Sequence, residues 1–177
     1  NPLTIAPSGT PTNATCFGAN NGSAAVTVSG GTGNIVVSWP LGGQPISTGL
    51  NPTNLLPGSY LPMATDNNGC TAVVSTPIVV GGPTTAITSN PTVAHNGCAG
   101  EANGSITLAP AGGNGAPFTV NWPGGISGPT LSNLPAGTYS PTITDASGCT
   151  VQIPAIAVNA PPAITVGTIT PTPQDGL

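Results

Sequence analysis

Apolar and polar residues alternate along this chain in short runs, and no run keeps the 3.6-residue period of a helix. Ala24-Ala25-Val26-Thr27-Val28 and Ile35-Val36-Val37-Ser38-Trp39 are typical. Glycine, proline and asparagine bound these runs and supply the backbone angles that turns need. The pattern predicts strands over residues 3–5, 23–29, 34–39, 53–56, 59–65 and 71–80. A second series is predicted over 86–88, 105–109, 118–122, 130–134, 138–144 and 150–158. The expected class is all-β. Pro62 and Pro141 cannot donate to a ladder, so the strands predicted over 59–65 and 138–144 should each carry a bulge or an unpaired stretch.

The two series are copies of each other. Cys16 recurs as Cys98 and Asn21-Gly22-Ser23 as Asn103-Gly104-Ser105, both after 82 residues. Trp39 recurs as Trp122 after 83, and Tyr60 and Cys70 recur as Tyr139 and Cys149 after 79. Landmarks in one order at a near-constant period mark a tandem repeat. Repeat one is assigned to residues 1–82 and repeat two to 83–161. In residues 162–177, Ile164 and Val166 alternate as Leu3 and Ile5 do, predicting the first strand of a following repeat, or a linker. A lone strand needs a partner. The one expected is the next repeat of a longer array, ahead of a neighbouring subunit in a filament.

Several short strands, a Trp on the third and a Tyr before the sixth match an immunoglobulin-like sandwich. The chain is therefore expected to be two tandem immunoglobulin-like β-sandwich modules. Leu56-Pro57-Gly58-Ser59-Tyr60 and Leu134-Pro135-Ala136-Gly137-Thr138-Tyr139 read as corners whose Tyr buries its ring and bonds its hydroxyl to backbone. Trp39 and Trp122 are expected in the cores rather than as ligand platforms.

Charge then narrows the function. The 177 residues hold no Lys or Arg, four acids and one His. Nothing can neutralise nucleic-acid phosphates or draw the chain to an anionic membrane. No apolar run is long enough to span a bilayer as a helix. A surface of Thr, Ser, Asn and Gly is hydrated by hydroxyls and amides or covered by glycans, which points outside the cell. Asn13, Asn21 and Asn103 each open an N-glycosylation triplet and are the candidate attachment sites.

Four cysteines allow three pairings. The repeat favours Cys16–Cys70 and Cys98–Cys149, one disulfide per module, each worth roughly 4 kcal/mol in the chain-entropy model. Metal ligation has no C-x-x-C to use, and His95 stands alone. Asp66 and Asp145 hold equivalent turn positions and read as turn formers, and Glu101 as a solvated loop acid. No Ser-His-Asp set or G-x-S-x-G turn is present. The reading is non-enzymatic, with no cofactor and no metal.

Taken together, Cys16-Phe17-Gly18, Asn21-Gly22-Ser23, Gly30-Gly31-Thr32-Gly33, Trp39, Leu56 to Tyr60 and Asp66-Asn67-Asn68-Gly69-Cys70 resemble an SprB repeat. The second half, with Asn103-Gly104-Ser105, Leu134 to Tyr139 and Asp145-Ala146-Ser147-Gly148-Cys149, is similar. The resemblance implies tandem immunoglobulin-like repeats of giant surface proteins and gliding adhesins of the Bacteroidota, exported by the type IX system. The function expected is an extracellular structural or adhesive segment of a surface filament. Its partners would be further copies of the repeat, neighbouring subunits or surface glycans. The runner-up is a polysaccharide-binding module accessory to a secreted enzyme.

Overall fold

The computed structural model describes residues 1–168, and among these every regular element is a strand. The strands are short, two to six residues, and form seven small sheets of two to four strands. The all-β class stands. Two continuous sheets per repeat do not form, so the immunoglobulin-like sandwich is met only at that coarser level.

Repeat one is built around a four-stranded sheet of Gln44–Thr48, Val36–Leu41, Met63–Thr65 and Thr71–Val73, in that order. Opposite it stand two antiparallel pairs, Thr4–Pro7 with Val26–Ser29 and Gly58–Tyr60 with Ile78–Val80. Alternate residues turn inward, as a period of two requires. Ile5, Val26, Val37, Trp39, Leu55, Tyr60, Ala64, Ile78 and Val80 thus meet in one core. Repeat two gathers a second core from Ile87, Ile106, Leu108, Val120, Trp122, Leu131, Leu134, Ile143, Ile156 and Val158.

The strands expected over 59–65 and 71–80 are each two strands. Gly58–Tyr60 and Ile78–Val80 pair in one sheet, whereas Met63–Thr65 and Thr71–Val73 pair in another. Buried Pro62 marks the crossing and Pro141 repeats it. Each proline lacks a donor but still accepts, from Val74 N at 3.2 Å and Ile153 N at 2.9 Å respectively. The interruption lets one hairpin close both sides of the core. The strand expected over 53–56 reduces to a bridge between Leu55 and Gly22. The strands Gln44–Thr48 and Thr92–Ala94 arise where none was expected.

Two glycines are demanded by close approach. A Cβ on Gly22 would lie 2.5 Å from Val80 Cγ1 and 2.9 Å from the Leu55 carbonyl oxygen. On Gly104 it would lie 2.5 Å from Val158 Cγ1 and 3.0 Å from the Leu134 carbonyl oxygen. The glycine of each Asn-Gly-Ser triplet is therefore a packing requirement, at a β-bridge for Gly22 and at the start of a strand for Gly104.

Candidate functional site

The corners come first, because they fix the ends of each repeat. Tyr60 donates its hydroxyl to the Leu56 carbonyl at 2.6 Å, and Tyr139 donates to Pro135 at 2.9 Å. Burial raises the Tyr60 hydroxyl pKa, against the lowering effect of its bond to the Leu56 backbone. Trp39 and Trp122 are both buried and donate Nε1 to the Gly49 and Gly128 carbonyls, each at 2.8 Å. Trp39 meets Tyr60 edge-on at 6.2 Å between ring centroids. Neither indole offers a face to a sugar.

Asp66 and Asp145 organise the Gly-Cys turns. One oxygen of Asp66 accepts from Asn68 N and Cys70 N, both at 2.9 Å, and the other accepts from Thr32 N at 3.0 Å. Asp145 repeats this with Ser147 N, Cys149 N and Asn114 N. The backbone N–H of Cys70, then those of Thr32 and Asn68, hold the Asp66 carboxyl below the usual carboxylate range, against desolvation. For Asp145 the Asn114 N–H is the leading cause. The two carboxylates satisfy backbone and stand in separate turns.

The three candidate glycosylation residues hold loops together. Asn21 accepts from Thr15 N at 3.0 Å and donates to Thr15 Oγ1 at 2.7 Å, bracing the Cys16 loop. Asn103 accepts from Gly97 N at 3.3 Å and donates to Glu101 Oε2 at 2.8 Å, bracing the Cys98 loop. Glu101 Oε2 also accepts from Cys98 N at 3.0 Å, so it is a loop former and not merely a solvated acid. Asn13 accepts from Gly81 N at 2.9 Å. At the counterpart position His95 Nδ1 accepts from Asn159 N at 3.1 Å.

The cysteines correct the expectation. Cys16 is bonded to Cys149 with Cα atoms 5.6 Å apart, while Cys70 and Cys98 are free and exposed. One disulfide therefore joins the repeats, in place of one within each. The reason is the length of a strand. The Cys16 loop precedes Gly22, at one end of the segment that runs to Gly30. The Cys70 turn is tied through Asp66 to Thr32, beyond the other end. Such a segment spans on the order of 25 Å, and disulfide Cα atoms sit no more than about 7 Å apart. Repeat symmetry is kept in translated form, from the loop cysteine of one repeat to the turn cysteine of the next.

Around that bond the repeats interlock. Asn114 Nδ2 donates to the Thr15 carbonyl across the boundary at 2.7 Å and to Asp145 Oδ2 at 3.1 Å. A cavity of about 170 Å³ at the boundary is lined by Cys16 and Phe17 of repeat one and by Ala86, Ile87, Gly113, Cys149, Thr150 and Val151 of repeat two. Cys16 itself packs against the core of repeat two. The bridge closes 133 residues, worth roughly 5 kcal/mol in the chain-entropy model. Its chemistry is mechanical coupling.

Residues 8–40 and 85–125 match the family model of the SprB repeat. Two segments of the chain, one in each repeat, are thus similar to the SprB repeat. Each matched segment holds a cysteine loop, an Asn-Gly-Ser triplet and, at or near its end, the core Trp. The SprB repeat is a structural repeat found in cell-surface proteins, which gives the chain its coarse setting. No curated protein matches the chain. Among the described residues, no three His, Cys, Asp or Glu side chains come together as a metal site would require.

Proposed function

We propose that this chain is a load-bearing extracellular segment of a surface adhesin or filament, in which tandem SprB repeats space an adhesive end away from the cell. The carrying observation is the Cys16–Cys149 bond across the repeat boundary. A pull on the two ends passes through that bond instead of unravelling the 133 residues it spans. A chain without Lys cannot reinforce itself with Lys–Asn isopeptide bonds, so the disulfide is its covalent reinforcement. An oxidising location fits both the bond and the family. Buried Trp39 and Trp122 weigh against the polysaccharide-binding alternative, because sugar sites stack on exposed rings.

Stretching single molecules by their termini tests this. With the bond intact, residues between Cys16 and Cys149 should not lengthen. Reductant should release about 450 Å of further contour length, since 133 residues extend by roughly 3.4 Å each. Full extension without reductant would remove the load-bearing role. Failure of antibody against the folded repeats to label intact producing cells would remove the surface role.

A further inference from the structure

The Cys16–Cys149 bond joins two thiols 133 residues apart, so nearness along the chain does not bring them into line. Among the described residues, the polar contacts between the repeats end on one acceptor, the Thr15 carbonyl beside Cys16. Asn114 Nδ2 donates to it at 2.7 Å, and Cys149 Sγ lies 3.2 Å from it. The same Nδ2 reaches Asp145 Oδ2 at 3.1 Å and Cys149 Sγ at 3.4 Å. One amide thus touches the loop of the first thiol together with the turn and the sulfur of the second.

Each side of this contact is built within its own repeat. In repeat two, Asn114 N donates to Asp145 Oδ2 at 2.8 Å, Gly113 N to the Thr85 carbonyl at 3.1 Å and Ala146 N to the Gly115 carbonyl at 3.2 Å. A Cβ on Gly113 would lie 2.5 Å from Asp145 Oδ2, so the backbone before Asn114 is pressed against the carboxylate. In repeat one, Asn21 accepts from Thr15 N and donates to Thr15 Oγ1, which holds the residue that offers the carbonyl. None of these bonds needs the disulfide. The amide is also surplus to its own turn. Repeat one builds the same Asp-led turn with Thr32 at this position, Thr32 N donating to Asp66 Oδ2 at 3.0 Å.

We infer that Asn114 is the positioning residue for the Cys16–Cys149 disulfide, clamping the Thr15 carbonyl and the Cys149 sulfur so that the two thiols meet before the bond exists. The oxidant is a small disulfide such as oxidised glutathione. Cys16 is the more exposed of the two cysteines, so its thiolate attacks first, forms a mixed disulfide and releases one glutathione thiolate. The Cys149 thiolate then attacks the Cys16 sulfur, the protein disulfide forms, and the second glutathione thiolate leaves. Two protein thiols are oxidised, one small disulfide is reduced, and the two thiol protons end on the two glutathiones. An amide N–H bonds a thiolate more strongly than a thiol, so Asn114 favours the attacking form of Cys149. The inference rests on the same bond as the load-bearing role and adds how that bond is made.

The test equilibrates the reduced full chain in glutathione buffers and reads the bonded fraction of Cys16 and Cys149 by alkylation and peptide mapping. Asn114→Thr gives repeat two the residue that repeat one uses. Because Asn114 is exposed and water competes for its bonds, this variant should lower the effective concentration of the two thiols about fivefold, or about 1 kcal/mol. Asn114→Asp keeps the shape but turns a donor into an acceptor facing the Thr15 carbonyl and Asp145, and should lower it further. In the Cys16→Ser chain, Asn114→Thr should leave the urea midpoint of repeat two unchanged, since the turn keeps its backbone bonds. An unchanged glutathione equilibrium in Asn114→Thr, or a loss matched by a fall in that midpoint, would overturn the inference and leave the load-bearing role standing. If Cys16–Cys149 fails to form in the unsubstituted chain, the two fall together.

Discussion

The two cysteine loops, residues 14–21 and 96–103, follow one plan and meet different fates. In both, an asparagine six residues on, Asn21 or Asn103, accepts from the N–H of the residue before the cysteine. In both, the loop is fastened to the residue that follows the last strand of its own repeat, by Ala14 N to the Gly81 carbonyl or Asn96 N to the Asn159 carbonyl, each at 2.9 Å. Yet Cys16 is bonded and Cys98 is free. What differs is the neighbour. Repeat two brings Cys149 and Asn114 to the first loop, whereas residues 162–168 bring no turn cysteine to the second. Each loop is thus formed locally and completed only across a boundary.

The comparison is broken most severely at the bond. Cys16→Ser should cost about 5 kcal/mol in the chain-entropy model and split denaturant unfolding into two transitions. Cys98→Ser should leave monomer stability unchanged, and equal losses in the two variants would contradict the difference between the loops. Next come the cores that carry the loops. Trp39→Ala and Trp122→Ala should each cost about 3–5 kcal/mol, read as a shift in urea midpoint. With the bond intact, each should perturb both repeats.

Gly22→Ala and Gly104→Ala should each cost about 1–3 kcal/mol, because the new methyl meets a valine side chain and a backbone carbonyl that must shift. Similar losses would support the shared plan, whereas a neutral Gly104→Ala would mean that the second loop is looser. Tyr60→Phe should cost about 1 kcal/mol. Tyr139→Phe should cost less, since Tyr139 is only half-buried and water can replace the lost donor.

The gentlest probe is pH. Asp66 and Asp145 have folded pKa values below their ordinary one, so their stabilisation is complete above the unfolded value, near 3.9. It is lost as pH falls through the folded values. Urea midpoints should be flat on this account between about pH 5 and 8 and decline below about pH 4. Asp66→Asn with Asp145→Asn should flatten that decline, and an unchanged acid limb would show that other groups control it.

Much of this was legible in the chain. The tandem copies, the all-β class, the buried Trp39, Trp122 and Tyr60 and the Asp-led turns follow from spacing and from local chemistry: a period of two, a Pro without a donor, an Asp that bonds its own turn. Pro62 and Pro141 were visible as interruptions, but their role was not, because a strand that changes sheets looks in sequence like a strand with a fault. The Asn-Gly-Ser triplets read as glycan acceptors. Their packing role depends on Val80 and Val158, which lie far along the chain.

What the sequence determined alone was the repeat and the shape of each turn, since both arise from residues a few positions apart. The tertiary structure decided which cysteines meet. Spacing records how much chain separates two thiols, not which end of a strand each one reaches. A strand about 25 Å long keeps Cys16 from Cys70, and stacking one repeat on the next brings Cys16 within 5.6 Å of Cys149 between Cα atoms.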